Sequence, residues 1–184
     1  LLRPHFLALQ ARSLGKARQP EEGLRELEKS LEAAHHSGDA SYLAELYRLK
    51  GELLLMQAKD RRVSRTAMGG KASVDSEPSA ISQAESCFNQ SIKVAQQQKA
   101  RSWELRAVMS LARLYRNQGK QEEARGLLTQ IYDRFTEGFD TPDLRAARAR
   151  RPERAGLHDG SRRLAAARLR RAARRRATCL LEPL

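Results

Sequence analysis

Apolar side chains recur every three or four residues along most of the chain, which is the spacing of one face of an amphipathic helix. Leu27, Leu31 and Ala34 form one such face. Pro20 suits the first turn of a helix, and Gly119 suits the end of another. The pattern predicts an all-α fold with helices at about 4–16, 20–36, 41–58, 79–98, 102–118, 121–136 and 142–150.

The helical segments repeat one another. Tyr42 and Trp103 lie 61 residues apart, and the same offset carries Gly51 onto Ala112. In the segments that follow, a small residue precedes a large apolar one by four positions. These pairs are Gly23/Leu27, Ala84/Phe88 and Ala124/Leu128. Three successive helical hairpins, each of about 40 residues once an insertion is removed, explain the offsets.

The stretch 59–78 interrupts the repeat. It is rich in Lys, Arg, Ser and Gly and contains almost no large apolar side chain, so it has little to bury. We expect a disordered or loosely ordered insertion between the two helices of the second hairpin. Gly69–Ser73 partly matches a phosphate-binding loop, but Arg65 replaces its first glycine and Ala72 its hydroxyl residue. We therefore expect no nucleotide site in this stretch.

The hairpins resemble the tetratricopeptide repeat. The small residue four positions before a large one matches the second helix of that family, and the pair Ala112/Tyr115 matches the first. Gly119 stands at the family's turn glycine, whereas the first hairpin has Arg18 there. The resemblance implies hairpins stacked into a short right-handed solenoid over residues 1–144. A capping helix and a basic, disordered tail would then occupy residues 145–184.

Longer strings are similar to the C-terminal repeat region of large bacterial signalling ATPases. These strings are 44–54, 102–107 and 135–141. In that family, an adenylate/guanylate cyclase or DNA-binding domain and an ATPase module precede the helical repeats. The resemblance implies that this chain, which begins at Leu1 rather than Met, is the repeat end of such a protein. It also implies a protein or peptide partner, with the ATPase module of the same polypeptide as one candidate.

Composition and motifs narrow the class of protein further. The 184 residues include 2 Cys, too few for a disulfide framework, which favours a reducing cytoplasmic location. No apolar run approaches the roughly 18–20 residues of a membrane span. The sequence has no Ser/His/Asp or paired-carboxylate arrangement and no His/Cys spacing typical of zinc. We therefore predict no enzyme activity, no metal and no cofactor.

Positive charge is concentrated in the tail. Residues 145–184 contain 13 Arg and three acidic residues, whereas residues 1–144 contain 22 basic and 19 acidic residues. Phosphate binding by the tail, on a nucleic acid or an anionic membrane, is the alternative function. Thirteen arginines without a lysine are also typical of a GC-rich gene read in a shifted frame. We favour that interpretation, ahead of a disordered solvated tail.

The family resemblance also suggests a recognition surface, because the first helix of each tetratricopeptide hairpin lines the concave face. Carried over by position, this rule selects nine polar side chains: Arg12, Lys16, Glu45, Arg48, Glu52, Arg106, Arg113, Arg116 and Asn117. We expect a non-catalytic interaction module in which Arg106, Arg113 and Arg116 bind carboxylates of a partner. The alternative is a solvated helix face with local Glu–Arg pairs.

Overall fold

The computed structural model describes residues 4–67 and 77–150. In this part of the chain the secondary structure is entirely helical, which confirms the all-α prediction. The helices are α1 (Pro4–Lys16), α2 (Pro20–Ser37), α3 (Leu43–Ala67), α4 (Glu77–Gln97), α5 (Arg101–Asn117), α6 (Gln121–Tyr132) and α7 (Pro142–Arg150). Five of them follow the predicted bounds within two residues.

Helix α3 differs most from the prediction. It continues to Ala67 instead of ending at 58, so the first part of the expected insertion at 59–78 is helical. The polar residues that suggested a loop lie largely on its exposed surface. Gln57 and Arg61 both donate hydrogen bonds to Glu21 at the start of α2, at 3.2 Å each, and so tie this extension to the fold. Residues 68–76, which include all of Gly69–Ser73, lie outside the described residues.

Helix α6 ends earlier than predicted, at Tyr132 instead of 136. The chain then turns through Gly138, whose φ of 74° is a conformation that favours glycine. This turn brings Phe139 back to within 5.7 Å of Tyr132, measured between ring centroids. The apolar residues after 132 therefore pack from a loop and not from a helix face.

The order of packing separates the helices into two sets. Each helix packs against the next one in the chain, and α1, α3, α5 and α7 also pack against one another in that order. Among the described residues, α2, α4 and α6 make no such contacts with one another. The odd-numbered helices thus form one continuous layer.

The core is built from the positions that the repeat singled out. The small members of the three pairs are all buried, and the large members are among the largest fully buried side chains. These residues are Gly23 and Leu27, Ala84 and Phe88, and Ala124 and Leu128. Their burial confirms that these positions face the core. Leu53 of α3 packs between α1 and α2, where a Cβ on Gly15 or Gly23 would lie 2.7 or 2.9 Å from it.

Three of the interhelical turns in the described residues close in the same way. In one of them Lys99, between α4 and α5, has a φ of 54°, and the amide of Ala100 donates a 2.9 Å hydrogen bond to Ala95. The other two are centred on Arg18 and Gly119. Arg18, between α1 and α2, has a φ of 59°, and Gly119, between α5 and α6, has a φ of 81°. The amide of the next residue donates 2.9 Å hydrogen bonds in both cases, from Gln19 to Leu14 and from Lys120 to Tyr115. This is the left-handed helix ending that glycine normally supplies. Arg18 therefore adopts the backbone conformation of a glycine.

Helix α7 lies across the boundary expected between residues 144 and 145. Leu144 and Ala147 are buried in one core cluster with Leu105 and Ile131. The helix contacts both α5 and α6. The packed body therefore extends past residue 144 and includes the helix predicted at 142–150. Residues 151–184, which hold most of the arginine-rich sequence, lie outside the described residues.

Candidate functional site

Arg48 of α3 is the centre of a network of charged side chains. Its guanidinium donates to both carboxylate oxygens of Glu45 at 2.7 Å, and it pairs with Glu52 at 2.7 Å. The side chains of Arg48 and Glu45 are only 11% and 6% exposed. Burial works against the charge on Arg48, but the two carboxylates outweigh it and hold the pKa of Arg48 above its ordinary value. Buried charges require such pairing.

The same network joins α3 to α5. Ser110 of α5 donates to Glu52 at 2.9 Å and accepts a 3.4 Å contact from Arg48. Arg113 lies 3.4 Å from the same Glu52 carboxylate. The structure thus brings together four of the predicted site residues, Glu45, Arg48, Glu52 and Arg113. They pair largely with one another, which makes Glu45, Arg48 and Glu52 a link between helices.

Arg106 is also engaged within the protein. Its Nε lies 2.7 Å from Oδ2 of Asp143, at the start of α7. Its guanidinium lies 5.1 Å from the centre of the Trp103 ring, and Trp103 packs edge-on against Tyr42 with ring centroids 5.4 Å apart. Tyr42 and Trp103 therefore connect the residue before α3 to α5. The contacts of Arg106 hold α5 to α7.

Three arginines lie toward the C-terminal ends of the neighbouring helices α5 and α7, and we call Arg113, Arg116 and Arg150 the arginine cluster. Arg113 and Arg116 are exposed, and Arg150 is half-buried. Burial lowers the pKa of Arg150, and the positive charges of Arg113 and Arg116 lower it further. Among the described residues, the ion pair that reaches this cluster is the 3.4 Å contact between Arg113 and Glu52.

The remaining predicted residues stand apart from these contacts. Arg12 and Lys16 on α1 and Asn117 at the end of α5 are exposed. Within residues 4–67 and 77–150, none of the three has a side-chain hydrogen bond or ion pair to the Arg48 network. The nine predicted residues therefore do not form one connected site.

The sequence analysis missed three residues of this region. Ser110 and Asp143 were not among the nine side chains selected by position, and Arg150 ends the helix predicted at 142–150. Spacing was the available signal, because Arg106 and Asp143 lie 37 residues apart, as do Arg113 and Arg150. Two helices that run side by side in the same direction bring such residues together.

Two further polar sites are present outside these contacts. The buried carboxylate of Glu104 accepts hydrogen bonds from Gln96 at 2.8 Å and Arg134 at 2.9 Å, which link α5 to its neighbours. An open groove of about 660 Å³ lies between the start of α2 and the end of α3. There, hydrogen bonds from Arg61 and Gln57 lower the pKa of Glu21. The carboxylates of Glu104 and Glu21 are therefore both paired with side chains of the same protein.

Comparison of the chain with protein-family models, with curated protein sequences and with solved structures gives no match. In the described part of the chain, no group of three or more His, Cys, Asp or Glu side chains is arranged to hold a metal ion. None of the described helices is both long enough and apolar enough to cross a membrane. The packing of the helices and the charges on their surfaces are therefore the features that bear on function.

Proposed function

We propose that this chain is a tetratricopeptide-like module that binds a protein or peptide segment along the layer formed by α1, α3, α5 and α7. The observation that carries the proposal is the order of contacts, in which odd-numbered helices pack against one another and even-numbered helices do not. In a stack of helical hairpins, this order places one helix of each hairpin on an inner surface. Repeat proteins use such extended concave surfaces to bind partners.

Contacts between predicted equivalent positions support the same proposal. Tyr42 packs against Trp103, and Glu52 pairs with Arg113, and each pair is separated by 61 residues, which is the repeat offset. Side-by-side contact of equivalent residues is expected when repeats stack in register. Stacking of the repeats in register therefore explains both the Tyr42–Trp103 ring contact and the Glu52–Arg113 ion pair.

We further propose that the module ends a bacterial signalling ATPase, nucleotide cyclase or transcriptional regulator, and acts without catalysis. The support is the similarity of strings 44–54, 102–107 and 135–141 to that class. An ATPase module of the same polypeptide is then a candidate partner. Nucleic-acid binding through the tail stays the alternative, and it depends on residues outside the described part of the chain.

Selection from a random peptide display library on the full-length chain tests the binding function. We expect enriched peptides that slow amide hydrogen exchange in α1, α3, α5 or α7, because the bound segment would lie on those helices. Protection confined to α2, α4 and α6 would contradict the proposed surface. Failure to enrich any peptide over an unfolded preparation of the same chain would contradict the binding function itself.

A further inference from the structure

We propose that the arginine cluster, Arg113, Arg116 and Arg150, binds a short acidic segment of the partner. The inference rests on the proposed function and adds the chemistry of the segment to it. The segment would carry two or three carboxylates close together in sequence. Its carboxylates would accept hydrogen bonds from the forked guanidinium groups, which match carboxylate geometry.

The packing of α5 beside α7 builds the cluster. Arg106 and Asp143 fix the two helices at one end through their 2.7 Å ion pair. Seven residues further along each helix, the residues are Arg113 and Arg150. Where the first pair joins opposite charges, the second consists of two positive ones on helices that pack against each other, and Arg116 adds a third positive charge on α5. The alignment of the helices therefore concentrates positive charge at this end.

Two other arginines, Arg48 of α3 and Arg106 of α5, show how this protein compensates a guanidinium. Arg48 has two carboxylates at 2.7 Å, and Arg106 has one carboxylate at 2.7 Å and an aromatic ring. In the described residues, the cluster has only the 3.4 Å approach of Glu52 to Arg113, and Arg48 and Ser110 share that carboxylate. Positive charges that repel one another are stabilised when an anion binds between them.

A short acidic peptide fits the surroundings better than a nucleic acid does. The carboxylates of Glu45 and Glu52 lie on the α3 side, and Asp143 lies at the other end of α7. A long polyanion that followed the helix layer would meet these negative charges, whereas two or three carboxylates would reach only the arginines. The approach of Glu52 to Arg113 also shows that a carboxylate can reach this position.

The test compares two full-length variants that each lose three positive charges. The first is R113Q/R116Q/R150Q, and the second is R125Q/R145Q/R148Q, whose arginines are exposed on α6 and α7. The tail is the same in both variants, so a difference between them does not come from it. The probe is a capped hexapeptide of alternating Glu and Asp, with the Gln/Asn hexapeptide as its neutral counterpart, titrated by calorimetry at low ionic strength.

We expect the cluster variant to bind the acidic hexapeptide about tenfold more weakly than the control variant, since each lost charge contact weakens binding a few-fold. The neutral peptide should bind neither. Equal affinities in the two folded variants would overturn the proposal, as would equal binding of the two peptides. Preferential loss of binding to a single-stranded oligonucleotide in the cluster variant would reassign the cluster to phosphates. If peptides from the display selection still bound the helix layer after such results, the proposed function would stand without this chemistry.

Discussion

The ring of Phe88 in α4 lies directly against Gly51 in α3. A Cβ at position 51 would lie 2.6 Å from Cε1 of the ring and 2.9 Å from two further ring atoms. Ala112, at the predicted equivalent position, shares a core cluster with Leu128, the smaller counterpart of Phe88. Phe88, the larger of the two core side chains, thus occurs with Gly51, the smaller of the two equivalent residues.

Gly51→Ala is expected to lower the free energy of unfolding by about 1–3 kcal/mol, because overpacking outweighs the better helix propensity of alanine. The matched control is Gly126→Ala in α6, where a Cβ meets nothing within 4 Å. That change should stabilise by up to about 1 kcal/mol. Urea unfolding measures both variants, and equal effects of the two would contradict the Gly51–Phe88 contact.

Phe88→Ala should cost about 3–5 kcal/mol, because the fully buried ring leaves a cavity. Phe88→Leu should cost less and should also reduce the effect of Gly51→Ala, since the smaller side chain leaves room for a Cβ. A double-mutant cycle from the same unfolding curves gives the coupling. Additive effects of Gly51→Ala and Phe88→Leu would show that the two positions do not constrain each other.

Introducing a glycine at one turn and removing the glycine from another should change the stability of the protein in opposite directions. Arg18→Gly should stabilise the protein by about 1 kcal/mol, because a left-handed conformation costs an L-residue about that much. Gly119→Ala should destabilise it by a similar amount, and the cause is conformational because a Cβ there meets nothing within 4 Å. Thermal unfolding followed by circular dichroism tests both. A melting temperature lowered by Arg18→Gly would be inconsistent with the φ of 59°.

Replacement of Arg48 should lower the free energy of unfolding far more than replacement of an exposed arginine. Arg48→Ala leaves the buried carboxylate of Glu45 without its bidentate partner, and we expect a loss of about 3–5 kcal/mol. Arg125→Ala, which breaks the exposed pair with Glu122, should cost less than about 1 kcal/mol. The double change Glu45→Leu/Arg48→Met should recover much of the loss. Chemical denaturation of the four proteins decides whether the network is structural.

Tyr115 predicts a dependence of stability on alkaline pH. Its hydroxyl donates a 2.7 Å hydrogen bond to Glu85, which together with burial raises the pKa of Tyr115 to about 12 from a usual value of 10. The folded state thus holds the proton more tightly, so this contribution is complete below pH 10 and is lost as the pH rises toward 12. Tyr115→Phe should flatten the fall in stability over that range. Spectrophotometric titration of the tyrosines should also lose its highest-pH component in this variant.

Truncation tests where the packed body ends. A chain that ends at Arg150 keeps Leu144 and Ala147, so its helical circular dichroism signal and melting temperature should match those of the full chain. A chain that ends at Leu144 loses Ala147 from the core and should melt at a lower temperature, by about 2 °C or more. Identical melting of the two truncated chains would show that α7 contributes nothing to stability.

The sequence predicted most of the fold because apolar spacing depends on local geometry. Burial of Leu27, Phe88 and Leu128 followed from one small-to-large pattern. The extension of α3 to Ala67 was missed because its residues are polar, and a partly exposed helix needs only one side to pack or pair. Contacts of Glu21 with that extension join residues that are far apart in the chain, and single-sequence patterns do not encode them.

The candidate site was less predictable for the same physical reason. Arg106 and Arg113 lie seven residues apart on α5, so the sequence pattern gives no reason to distinguish them. Their surroundings differ because Arg106 pairs with Asp143 at the start of α7, whereas the charge of Arg113 lowers the pKa of Arg150 at the end of that helix. The packing of α7 therefore distinguishes Arg106, which connects two helices, from Arg113, which is exposed and has no such partner on α7 among the described residues.

The contacts of Trp103 make the helix layer observable without a label. The chain contains one Trp, so its fluorescence comes from a single position. That indole packs against Tyr42, which directly precedes α3, and lies beside Arg106, which is paired with Asp143 of α7. Energy transfer from Tyr42 and the emission wavelength should therefore respond when α3, α5 and α7 separate or shift. Trp103 is therefore an intrinsic fluorescence probe of the contacts among these three helices.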